Sequence, residues 1–236
     1  MLFRSGKKMS QTSTANRVIF PWSIFAMDRS RPQAATSLFT ITLSREVGTG
    51  GTEIAQEVGT RLGWAVYDHK LLERIALDAG VRASLLESVD EHRGIWLKEA
   101  FEGLFAVPYI GEPAYVHHLV KTVLALGAHG ECVIVGRGAA FVLPAASTLR
   151  VRLVAPCEHR IAALSQRLGL DRARAGEKVL ALDKERVGFV RDYFQHDPRN
   201  PRYYDLVLNT ARFSVAECAE LIVEGLHRWR ERKPIT

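Results

Sequence analysis

The stretch that decides the fold reads Leu38-Phe39-Thr40-Ile41-Thr42-Leu43-Ser44-Arg45-Glu46-Val47-Gly48-Thr49-Gly50-Gly51-Thr52 and continues into Glu53–Leu62. Residues 38–43 alternate and are rich in β-formers, which predicts a strand. Ile54, Val58 and Leu62 recur at helical spacing, which predicts a helix. Strand, glycine turn and helix together are the setting a phosphate-binding loop needs. Glycines let backbone N–H groups turn inward, and a helix N-terminus adds the positive end of its dipole. Set against the pattern G-x-x-x-x-G-K-[ST], the frame from Arg45 keeps Gly50 and Thr52. It has Arg45 in place of the first glycine and Gly51 in place of the lysine. On these residues alone, a glycine-rich turn with no ligand is the competing reading.

Downstream, Gly63 is the expected helix stop. Trp64–Tyr67 reads as a second strand, and Lys70–Ala79 as a helix capped by Asp68. Residues 81–112 are helical but irregular, and Pro108, Gly111 and Pro113 punctuate their end, as suits an inserted helical subdomain. Ala114–Ala128 predicts a helix, and Cys132–Val135 a strand buried on both faces. That strand ends at Gly136-Arg137-Gly138, a glycine turn carrying a cation. Thr148–Ala155 is the next strand, Cys157–Leu168 a helix, and Asp171–Phe194 one or two more. A proline-rich loop over 196–204 leads to a last strand at 205–209. Ser214-x-x-Glu217 is a capping box that opens the final helix. Strands alternating with helices predict an α/β domain with a mostly parallel sheet covered on both faces. Ligands in such folds bind at the carboxyl ends of the strands. The loop after the first strand, Asp68 after the second, and Arg137 then share one edge.

Charge says little for nucleic acid. The chain carries a net +6, but residues 1–37 hold Arg4, Lys7, Lys8, Arg17, Arg29 and Arg31 against Asp28 alone. That leader therefore carries +5, and the body is near neutral, without the basic bias a nucleic-acid binder would want. The leader reads as disordered or as an over-extended start; a transit peptide and an extension packed on the body are the other readings. No stretch is long and apolar enough to predict a membrane span. Cys132, Cys157 and Cys218 are scattered, which argues against disulfides or zinc and for a reducing, cytoplasmic setting, with all three as buried small residues. His117, His118 and His129 lie close together without a carboxylate or thiol partner, so surface or capping roles are expected.

Arginine is dense in the last third. Most of these side chains, Arg172 and Arg174 among them, read as a solvated helical face. Asp183-Lys184-Glu185-Arg186 followed by Arg191 is more pointed, since planar bidentate donors suit transferring phosphates. Arg186 and Arg191 are five apart, on different faces of a regular helix, where they could reach different phosphates.

Ile41–Ala55 resembles the loop of the cytidylate kinase-like proteins, relatives of bacterial cytidylate kinase whose loop typically reads S-R-E-x-G-S-G-G. Four further stretches agree in order and spacing: Tyr67–Leu72, Val133–Ala139, Asp183–Arg186 and Tyr204–Thr210. The resemblance covers residues 38–228 and leaves the leader outside. It implies a three-layer P-loop NTPase fold over 38–236, with a helical acceptor-binding insert at about 81–112 and an arginine-rich lid at about 171–195. The implied activity is transfer of the ATP γ-phosphate, with Mg2+, to a pyrimidine nucleoside monophosphate such as CMP or dCMP. A P-loop protein that binds a nucleotide or phosphorylated ligand in a regulatory role is the alternative. Small-molecule nucleotides are the expected partners, and the oligomeric state is open.

By the same resemblance, Ser44, Gly48, Thr49, Gly50, Gly51 and Thr52 bind phosphate, and Thr52 offers its hydroxyl to the metal. Asp68, Lys70, Gly136 and Arg137 lie on the acceptor side, and Arg186 and Arg191 on the lid. The chain departs from cytidylate kinases at two places. They carry a lysine where it has Gly51 and an aspartate where it has Gly138. Arg45 or Lys70 is the expected substitute for the missing cation, with Arg45 counted beside Arg186 and Arg191 as catalytic.

Overall fold

The structure is a computed structural model that describes residues 39–77, 84–85 and 113–231. The expected leader, and all of the expected insert except residues 84–85, lie outside the described residues. The elements run β1 (Thr40–Arg45), α1 (Gly51–Leu62), β2 (Ala65–Tyr67), α2 (His69–Leu77), α3 (Pro113–His129), β3 (Cys132–Val135), α4 (Ala139–Val142), β4 (Thr148–Val154), α5 (Cys157–Leu168), α6 (Arg172–Phe194), a short 3-10 turn (Pro201–Tyr203), β5 (Leu206–Asn209) and α7 (Val215–Arg230).

The five strands form one sheet in the order β2-β3-β1-β4-β5, and every pairing is parallel. β1 is central, with Leu43 opposite Val135 on one side and Val151 on the other. The α/β class with a parallel sheet is as the alternation of strands and helices predicts.

Alternation along β1 divides the core. Ile41 and Leu43 join Val133, Val135, Val151 and Leu153 on one face, where Ile54 and Val58 of α1 and Ile222 and Leu226 of α7 cover them. On the other face Cys132 and Ile134 pack with Leu72 of α2, Leu119 and Val123 of α3, Phe141 of α4 and Phe194 of α6. A third, smaller cluster holds Val47 of the glycine turn between Leu164 of α5 and Val179 of α6. Helices on both faces bury the strands and leave the strand ends as the open edge.

The local signals in the sequence are visible. Gly63 ends α1 in the left-handed conformation, accepting the sharp reversal there. Asp68 Oδ1 accepts from the Leu71 N–H at 2.9 Å in the first turn of α2. Ser214 and Glu217 form the reciprocal capping box of α7. Residues 172–194 form one helix rather than two. Two expectations change. Cys132 and Cys218 are buried, but Cys157 is exposed at the start of α5. His117 is buried rather than on the surface, because it falls on the covered side of α3. Among the described residues no helix is long and apolar enough to cross a membrane, and no metal-ligating cluster of His, Cys, Asp or Glu occurs.

Candidate phosphate site

The turn between β1 and α1 lies at the carboxyl end of the central strand. Its backbone donors divide sharply. The Glu46 N–H bonds to Leu153 O at 3.1 Å, and the Val47 N–H to Asp183 Oδ1 at 2.8 Å. From Ile54 onward the helix supplies its own acceptors, starting with Gly50 O. Between them, the N–H groups of Gly48, Thr49, Gly50, Gly51, Thr52 and Glu53 donate to no protein acceptor among the described residues. Gly48 and Gly50 have φ of 86° and 69°, which a residue with a side chain rarely adopts. Successive free N–H groups in such a turn, followed by a helix N-terminus, make an anion-binding concavity. The Thr52 hydroxyl is likewise without a hydrogen bond among the described residues, whereas the Thr49 hydroxyl donates to Glu46 O at 2.8 Å.

Arg45, the last residue of β1, folds its side chain across this turn. Its stem passes Gly51: a Cβ there would stand 2.9 Å from Arg45 Cγ. Its guanidinium lies on the Gly136 backbone, where a Cβ would overlap Nη1. Gly136 therefore serves by having no side chain, in a turn where Arg137 itself takes a positive φ of 51°. Three cations converge. Arg186 Nη1 donates to Arg45 O at 3.4 Å, and both Arg186 and Arg137 bear on the Arg45 charge. Burial, then Arg186 and Arg137, push the Arg45 guanidinium down to about 9, with Asp68 opposing. Burial leads, with Arg137 adding to it and Asp183 opposing, in holding Arg186 below its usual range. His69 is held below the ordinary histidine value by burial first, then by Arg45 and Arg137. Asp68, Asp183 and Glu73 offset part of this charge, and an anion at the turn would further relieve the mutual repulsion of the three arginines.

The predicted site residues do not all come together. Gly48 to Thr52, Arg45, Arg186, Arg137, Gly136 and Asp68 share one edge. Ser44 belongs to β1, paired with Arg152 in the sheet. Arg137 is ion-paired to Glu73 and lies 5.5 Å from the Phe189 ring centroid, and its Nε is buried without a partner among the described residues. Lys70 is exposed on the first turn of α2. Arg191 is turned elsewhere and pairs with Asp197 at 2.7 Å, because five residues rotate it off the Arg186 face. Gly138 is closed by Phe194, whose ring occupies the space a Cβ would need. Sequence reasoning passed over Glu46, Arg160 and Asp183, which brace the turn. Glu46 and Asp183 stood inside quoted motifs; for Arg160 no local signal set it apart from the other arginines.

A parallel α/β sheet whose central strand runs through an amide-rich glycine turn into a helix, with arginines converging on the turn, is the arrangement in which α/β folds of the P-loop type hold phosphates. The chain belongs to the cytidylate kinase-like family, which residues 40–212 match. It is 25% identical over 203 residues to a cytidylate kinase from Methanopyrus kandleri, covering 82% of this chain and 95% of that protein. It is also 32% identical over 97 residues to a uronate isomerase from Corynebacterium glutamicum; that match covers 41% of this chain and only 19% of that protein's length. Among solved structures, an uncharacterized protein from Eubacterium ventriosum superposes with a TM-score of 0.63 at 20% identity, covering 81% of this chain and 99% of that one, a likeness of fold.

Proposed function

We propose that the protein is a nucleotide kinase that moves the γ-phosphate of ATP to a nucleoside monophosphate, with a pyrimidine acceptor such as CMP or dCMP. The observation that carries this reading is the run of unengaged N–H groups from Gly48 to Glu53 beside the Arg45 side chain. Family membership and the similarity to a cytidylate kinase over nearly its whole length support it.

In the proposed reaction, an oxygen of the acceptor's phosphate attacks the γ-phosphorus of ATP. The bond from that phosphorus to the β,γ-bridging oxygen breaks, and ADP leaves. The amides of residues 48–52 would hold the donor phosphates. Arg45 and Arg186 would meet charge spreading over the equatorial oxygens. Arg137 and Asp68, with Gly136 and Lys70, lie on the acceptor side of this reading. Arg191 would act on a phosphate only after releasing Asp197. The Thr52 hydroxyl, which makes no hydrogen bond among the described residues, fits a metal that arrives on the nucleotide. Mg2+ on the phosphates supplies charge neutralisation; Thr52 would hold it in register.

The test is ADP formation from ATP and Mg2+ over a panel of ribo- and deoxyribonucleoside monophosphates. ADP release that depends on an added pyrimidine monophosphate is expected. Absence of turnover with every acceptor overturns the reading.

A further inference from the structure

The glycine turn is clamped from outside its ligand face. Asp183, midway along α6, accepts from the Val47 N–H at 2.8 Å and pairs with Arg160 of α5. Arg160 Nη1 also donates to Val47 O at 3.2 Å, and its Nε to Ala155 O at 3.0 Å. Both backbone polar groups of Val47, its N–H and its C=O, are thereby held by two side chains that hold each other. The Val47 side chain is buried with Leu164 and Val179. Gly48 lies so close to the Arg160 backbone that a Cβ would stand 2.5 Å from Arg160 O. Glu46, the preceding residue, accepts from the Ala155 N–H at 3.2 Å, with Arg160 Nε at 3.4 Å and Arg152 Nη2 at 3.6 Å from its carboxylate.

The free donors begin at Gly48, immediately after this clamp. Asp183 also sits three residues before Arg186, so the two share a face of α6. The same helix face that grips Val47 thus presents Arg186 to Arg45 O. If residues 172–183 swung away as a free lid, they would break the Val47 contacts with Val179 and Asp183 together.

We infer that Asp183 is a positioning residue for the phosphate loop: through the Val47 N–H and Arg160 it fixes the turn that aims the amides of residues 48–52 and sets Arg186 in register with them. The inference rests on the loop being the phosphate site, and it makes the first half of α6 a fixed brace rather than a hinged lid. Asp183 touches no phosphate itself. Its effect is on how well the loop is formed before an anion arrives, and preorganised donors bind more tightly than donors that must be ordered.

The experiment uses the full chain and inorganic pyrophosphate, with affinity measured by calorimetry and amide exchange by NMR. Asp183→Ala is expected to weaken pyrophosphate binding tenfold or more. Asp183→Asn, whose amide oxygen still accepts from Val47 but which lacks the charge for Arg160, is expected to lie between that and wild type. Its Val47 and Gly48 amides should exchange faster than in wild type. Leu226→Ala, in the core on the α7 side, serves as the control for lost stability. It should lower the melting temperature while leaving the pyrophosphate affinity within threefold. If Asp183→Ala does not fold, Asp183→Asn alone decides, by affinity and exchange. Wild-type affinity in the Asp183 variants, equal weakening in Leu226→Ala, or no pyrophosphate binding by wild type overturns the inference. Binding in the expected order without phosphate transfer to any acceptor would instead overturn the kinase reading and leave this one standing.

Discussion

Arg45 and Gly51 share one volume: a Cβ on Gly51 would stand 2.9 Å from Cγ and 3.1 Å from Cβ of Arg45. The position where a P-loop pattern has lysine is therefore filled from the side, by the stem of an arginine that comes from the strand. Gly51→Lys alone should be harmful, since overpacking costs about 1–3 kcal/mol. Arg45→Ala should lower kcat/KM by about 10²–10³, the scale of losing one preorganised donor to the transition state. The double variant Arg45→Ala/Gly51→Lys should regain at least tenfold over Arg45→Ala. Steady-state kinetics on the three variants decides this, and purely additive losses would contradict it.

Thr52 is expected to act through the metal rather than through phosphate. Thr52→Val keeps the shape and removes the hydroxyl. Turnover with Mg-ATP should fall about tenfold or more, the worth of a hydrogen bond or ligand bond to a charged group. Metal-free pyrophosphate affinity should hardly change. Titrating Mg2+ against rate, beside calorimetry without metal, separates the two.

Gly138 combines a φ of 73° with the Phe194 ring in the space of its missing Cβ. Gly138→Asp should destabilise the protein by about 2 kcal/mol or more through strain and overlap. For a chain of this size that is a fall of about 4–8 °C in melting temperature. Phe194→Ala/Gly138→Asp should lose less than the sum of the single changes, because the first makes room for the second. Thermal melts of the three variants provide the check.

His69 offers a pH signature of the same site. Its Nδ1 is buried without a partner among the described residues, and burial, Arg45 and Arg137 hold its pKa below the ordinary 6.5. Between that lowered value and 6.5 the unfolded chain binds more protons than the folded one. The His69 contribution to stability is therefore steady above the ordinary histidine range. It is lost as pH falls from there toward the folded value. His69→Gln should flatten that part of the stability profile. Pyrophosphate should raise the His69 pKa, read from the imidazole NMR signals, by offsetting the charge of Arg45 and Arg137. A His69 titration indifferent to pyrophosphate would remove the anion from this corner of the site.

Local signals carried much of the fold. The period-2 run at residues 40–43, the helical spacing of Ile54, Val58 and Leu62, the stop at Gly63 and the Ser214/Glu217 box each act within one turn or strand, so neighbouring residues suffice to show them. Expectations that depended on distant packing fared unevenly. Arg191 and Arg186 read alike in sequence, yet one pairs with Asp197 and the other reaches the loop. Cys157 read as buried, but its position at the start of α5 leaves it exposed.

The sequence by itself determined the order of strands and helices along the chain, the glycine turn after the first strand, and the absence of lysine from that turn. Only the tertiary structure decided what stands in the vacant place. Arg45 lies over Gly51 because Gly136, 91 positions after Arg45 in the chain and just beyond the end of the β1–β3 pairing, leaves room for the guanidinium. Asp183 reaches Val47 across 136 residues because α5 and α6 pack against the turn. Such pairings depend on the register of parallel strands and the seating of helices, which bring together residues that local periodicity cannot relate.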